Sequence, residues 1–203
     1  MNKFGVSATD LKNARIVFEK REPRDLFYRA ATELVGLALR RSTSLTVAES
    51  LAVLLQTWNK ARYQYKKFDA THFAEIEALL RQHRSELSRC RRKTIERLKP
   101  ADASAIVNMF ESFETVLGPV GSAKALHLLA PRFFPIWDRK IAGKYGLQLG
   151  KAGSNGDRYW RFMVISGQQC RHLRSRSRSR LRGNLLKSID EYNYCKYTKG
   201  WLT

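Results

Sequence analysis

An all-α fold is predicted from the spacing of apolar residues, the recurrence of helix-start signatures and the lack of any strand pattern. Leu, Ile, Val and aromatic residues return at three- and four-residue intervals along most of the 203 residues, the period of a helix that buries one face. Alternating runs of β-branched and aromatic residues are missing. No Asn-Gly or Asp-Gly pair separates two apolar stretches, so hairpin strands have no support.

The elements follow in order. Asp10 or Thr9 can cap a helix reaching about Lys20. Pro23 opens the next, where Leu26, Ala30, Leu34 and Leu37 give one apolar stripe. Thr46 and Glu49 form a capping box that launches a helix through Leu51, Leu54, Leu55 and Trp58. Phe73, Ile76, Leu79 and Leu80 mark another, and residues 87–98 a more charged one. Ile106, Met109, Phe110, Phe113 and Leu117 lead into residues 117–138, LGPVGSAKALHLLAPRFFPIWD. Gly118 and Gly121 bracket a sharp turn, SAKALHLL restarts a helix, and Pro131 and Pro135 stop it and stiffen a loop ending at Asp138. A short helix over 141–147, a glycine-rich loop over 150–156 and a helix over 157–173 follow. The last segment, 185–203, has apolar positions Leu185, Leu186, Ile189, Tyr192 and Tyr194 and is expected to fold back on the body. The whole chain reads as a single domain.

Charge narrows the function. Lys and Arg number 38 against 18 acidic residues, a formal net charge of +20. Such an excess repels itself in a compact fold, and a polyanion relieves it. Nucleic acid is the expected polyanion, with acidic membrane the weaker alternative. No apolar run approaches the ~18 residues of a bilayer span, and the first residues lack a signal-peptide core. Cys90, Cys170 and Cys195 are odd in number and far apart, which suits a reducing compartment. A cytoplasmic monomer without cofactor is expected. Histidine and cysteine show no metal-ligand spacing, and no clustered acids suggest a metal-dependent nuclease.

Two segments carry phosphate-binding chemistry. Backbone amides of Gly118, Val120 and Gly121, with Ser122 and Lys124 beside them, sit where a helix N-terminus would meet an anion. The alternative is a plain helix–helix turn. Residues 171–182 hold six arginines and no acid. They read either as a solvated tract or as an arm in which Arg174, Arg176, Arg178 and Arg180 contact phosphates.

Leu117, Val120, Gly121 and Ala125, followed by Phe133–Ile141 with its apolar-Pro-apolar run before Asp138, resemble the helix-hairpin-helix DNA glycosylase superfamily of endonuclease III, MutY and 8-oxoguanine glycosylase. The resemblance covers residues from about 46 to 146. The Gly118-Pro119 order is exchanged relative to the family hairpin, the gap to the aspartate is shorter, and three cysteines cannot supply the four-cysteine iron–sulfur cluster of several members. The resemblance implies two helical lobes flanking a cleft, with double-stranded DNA as the partner. It also implies excision of a flipped base, by cleavage of the N-glycosidic bond, to leave an abasic site.

Residue by residue, the resemblance makes Asp138 the carboxylate that stabilises the oxocarbenium-like sugar and orients water. An N-cap of the following helix is its alternative or additional role. The family's Schiff-base lysine would align with Ala123. Lys124 lies one residue later, about 100° around a helix, so its amine is expected to swing out of the pocket and a monofunctional enzyme is preferred. Gln56 matches the residue that wedges into the vacated stack. Trp58, Asn59, Tyr63 and Trp137 are candidates for the base pocket, Trp58 equally for the core. His127 is expected to have no catalytic duty. Repair of damaged bases and phage defence against a hypermodified base such as glucosylated hydroxymethylcytosine are both open. The rival reading is a non-catalytic DNA-binding module.

Overall fold

A computed structural model describes residues 5–176 and 183–202. Among them every regular element is helical: α1 (Ala8–Arg21), α2 (Asp25–Leu39), α3 (Val47–Trp58), α4 (Lys60–Tyr63), α5 (Ala70–Gln82), α6 (Arg84–Arg91), α7 (Ala103–Leu129), α8 (Arg139–Lys144), α9 (Gly156–Arg176) and α10 (Leu185–Asn193). Short 3₁₀ turns precede α7, and a π-helical turn, Tyr194–Thr198, follows α10. No helix is long and apolar enough to cross a membrane among the described residues.

Local sequence explains most boundaries. Ser7, not Thr9 or Asp10, caps α1: its hydroxyl accepts from the Asp10 amide while Asp10 returns a bond to the Ser7 amide. The Thr46–Glu49 box caps α3 as expected. α2 departs from its predicted stripe. Tyr28, Ala31 and Val35 are buried, whereas Leu26 is 56% exposed. The sequence DLFYRAATELVGLAL is apolar around most of its circumference, so periodicity alone did not fix the phase.

α7 organises the molecule. Ile106, Met109, Phe110, Phe113 and Leu117 are all buried, as is every residue from Gly121 to Leu129. The helix breaks at Gly118, whose φ of 71° only glycine adopts without strain. Pro119 then restarts it, since proline at a first helical position forfeits no hydrogen bond. Against α7 lie α3, α5 and α9, with Trp137 and Tyr159 among the largest fully buried side chains. The C-terminal segment folds back, α10 packing on α1. α9 runs to Arg176, so Arg171, Arg174 and Arg176 are helical. Arg178 and Arg180 lie outside the described residues.

Candidate active site

Where α7, the loop before α8, the ends of α1 and α3, and α10 converge, they leave a cavity of about 60 Å³. Its walls carry Glu22, Arg24, Trp58, Lys124, Asp138, Asp190 and Tyr194. The helical restart at Pro119 sets the phase of the second half of α7, and this phase turns Lys124 inward. The predicted swing of its amine out of the pocket is therefore corrected: Lys124 and Asp138 line one cavity. The Lys124 ammonium donates to the Trp58 carbonyl. Burial pulls its pKa down to about 8, against the opposing pull of the Asp138 and Asp190 carboxylates. A buried amine that loses its proton near neutrality is a usable nucleophile.

Asp138 has the N-cap role: its Oδ1 accepts from the Ile141 amide at 2.7 Å. Its Oδ2 accepts from the Thr198 hydroxyl at 2.6 Å, a contact across 60 residues of sequence. Across the cavity, burial raises the Asp190 carboxyl to about 7, with Lys187 pulling the other way. Lys187 stands 3.7 Å from Asp190, 3.3 Å from Glu191 and 3.4 Å from Asp25, over the faces of Phe18 and Tyr28. Glu22 is also buried, which would raise its carboxyl, but the two hydrogen bonds from Arg24 and one from Tyr194 outweigh this and hold it down at about 2.

The predicted pocket residues divide. Trp58 lines the cavity, donates its indole N–H to the Arg24 carbonyl at 3.0 Å and stacks on Tyr28. Trp137 borders the cavity, yet its ring is fully buried against Phe110, Tyr159 and Phe162. Its N–H donates to the Pro119 carbonyl at 3.0 Å, tying the break in α7 to the loop that carries Asp138. Tyr63 is placed elsewhere: its hydroxyl meets His72 and its ring packs on Phe68, so the base-pocket assignment does not hold in this conformation. Gln56, the wedge candidate, is exposed on α3 and does not line the cavity. Asn59 ends α3 and lies against Gly121, where an added Cβ would come within 2.8 Å of its amide nitrogen. His127 is wholly occupied, Nδ1 with the Phe134 carbonyl at 2.7 Å and Nε2 with Tyr28 at 2.9 Å.

At the hairpin Gly118, Gly121 and Ser122 are buried and Val120 half-buried. The Ser122 hydroxyl donates to the Gly118 carbonyl, so it is not offered to a phosphate here. What covers the turn is Arg62, which donates to the Val116 carbonyl at 2.6 Å and lies beside Gly118. Arg174, the first arginine of the foreseen phosphate-contacting arm, is half-exposed and has its guanidinium paired with Glu96.

Sequence reading missed Arg62, Glu22, Arg24, Asp190 and Thr198. Only Asp190 left a trace, as one of two acids on an otherwise apolar-periodic helix, LLKSIDEYN. No group of three or more His, Cys, Asp or Glu side chains suited to a metal occurs among the described residues. Comparison with protein-family models, with curated proteins and with solved structures gives no match.

Proposed function

We propose that the chain is a DNA glycosylase of the helix-hairpin-helix type, which draws a base out of duplex DNA and cleaves its N-glycosidic bond. The observation that carries this reading is the meeting of the Lys124 amine and the Asp138 carboxylate in one cavity. As the bond from C1′ to the base breaks, its electron pair leaves with the base and the sugar becomes cationic. Asp138 stabilises that charge, which exists only near the transition state. Lys124, neutral above about pH 8, can bond to C1′ in place of the departing base. The C1′–O4′ bond then breaks, O4′ takes the proton that the amine sheds, and the open sugar is left joined to Lys124 as a Schiff base that borohydride reduces. A space of about 60 Å³ holds a few waters, not a nucleoside. Nucleotide entry therefore requires the cavity to widen, and the π-helical turn that lines it through Tyr194 is the segment bonded to Asp138 through Thr198.

One observation favours the rival, a DNA-binding module without catalysis: both Asp138 oxygens are already hydrogen-bonded. One experiment separates the readings. The protein is incubated with genomic DNAs containing damaged, mismatched or phage-type hypermodified bases, and abasic sites are then cleaved with alkali. The enzyme reading expects strand breaks on one class, reduced at least about a hundredfold in Asp138→Asn. Borohydride trapping expects an adduct that is lost in Lys124→Met. Tight binding with no breaks on any DNA leaves the binding module.

A further inference from the structure

The segment between α3 and α5, KARYQYKKF (60–68), holds four cations, no acid and three aromatic rings. Its structure treats the rings differently. Tyr63 and Phe68 pack on one another at 5.0 Å and both on His72, while Phe68 also meets Phe73 at 4.8 Å. Lys66 pairs with Glu75 at 3.0 Å, and Arg62 is fastened to the hairpin through Val116. Tyr65, whose backbone N–H donates to the Arg62 carbonyl between these anchors, is 90% exposed. An isolated ring left in water by a segment pinned on both sides loses little entropy when a partner covers it.

Its surroundings name the partner. Lys60 and Lys67 are exposed on the same short segment, and the chain leads back through Asn59, against Gly121, to Trp58 at the cavity wall. An exposed aromatic face among exposed cations is what a nucleobase and its phosphates recognise, stacking supplying the contact and charge the approach. We propose that Tyr65 is a stacking platform for an unstacked base of bound DNA, with Lys60 and Lys67 on the adjoining phosphates. The inference rests on the DNA-partner part of the proposed function, not on its chemistry.

Stacking and phosphate contact leave different signatures, because only the second changes the salt dependence of binding. Fluorescence anisotropy would follow binding to two duplexes, one fully paired and one with a single-nucleotide bulge, across salt concentrations. Tyr65→Ala is expected to weaken binding to the bulged duplex on the order of tenfold, with the slope of log K against log salt unchanged. The loss on the paired duplex should be smaller, and Tyr65→Phe should bind as the wild type does. Lys67→Ala should instead lower the slope by about 0.9 on both duplexes. If the wild type binds and Tyr65→Ala binds the bulged duplex equally well, the platform is wrong and the DNA reading stands. An altered slope in Tyr65→Ala also overturns it. A wild type that binds neither duplex at low salt overturns the DNA partner and the platform together.

Discussion

Two buried carboxylates, Glu114 and Asp190, show opposite ways of burying charge. Glu114 takes bonds from the Asn155 backbone and side-chain amides, and Asn155 is in turn held by the Gly150 amide and donates to the Lys151 carbonyl. The network closes on itself and fastens the 150–156 loop to α7. Asp190 faces a cavity shared with Lys124 and Asp138, and no hydrogen bond reaches its carboxylate among the described residues. Its nearest cation, Lys187, has no hydrogen-bond partner for its Nζ either. Closed polar networks specify a fold, whereas buried charges left half-satisfied around a space mark where chemistry or a ligand belongs. Both sites lie on the same body, so the difference is one of satisfaction, not of depth.

The sharpest test of that contrast is removal of the closed carboxylate. Glu114→Ala strands the Asn155 amides inside the protein, and unfolding by urea should register a loss of about 2–4 kcal/mol. DNA binding at a temperature where the variant is folded should be unchanged. A loss of less than about 0.5 kcal/mol would mean that the network is incidental.

Asp190→Asn should act in the opposite sense and only in one pH range. Burial raises this carboxyl from 3.8 to about 7 in the folded protein. The protonated form is thus favoured by folding. Its stabilising contribution is fully present below about pH 4 and is lost as pH rises through about 7. The amide cannot ionise, so the variant should lack this decline and gain on the order of a few kcal/mol relative to wild type by pH 8. Parallel stability–pH curves for the two proteins would show that Asp190 is not held protonated.

The same contrast explains what the sequence made legible. Helix existence, the α3 capping box, the buried face of the first half of α7 and the Gly118 break are local signals, and each was readable because three- to four-residue spacing and glycine chemistry are local. Asp138 was readable because two prolines and a helix start frame it. The other walls of the cavity were not. Asp190 and Tyr194 meet Glu22 around it because α10 and the turn after it fold back onto α1. Thr198 reaches Asp138 through the same closure, and nothing in their own neighbourhoods reports that long-range contact. The orientation of Lys124 was missed for a related reason: a family-based register turned its amine out of the pocket, whereas the phase is set where Pro119 restarts the helix. Tyr63, taken for the pocket as an aromatic just after α3, has its ring captured by Phe68 and His72.

The smallest effect tests how far Asp138 belongs to each class. Through Ile141 it is a satisfied cap, like Glu114 with its loop; through Thr198 it is tied to the segment that closes the cavity. Thr198→Ala deletes only the second bond, at a cost of about 1 kcal/mol in stability, and leaves the cap in place. If the hydroxyl merely fills the oxygen that a sugar would face, base release at saturating DNA should be no slower than in wild type, since the carboxylate is freed without being moved. A fall of about tenfold or more with unchanged DNA affinity would instead show that Thr198 aims the carboxylate. The C-terminal turn would then belong to the catalytic constellation and not to its cover.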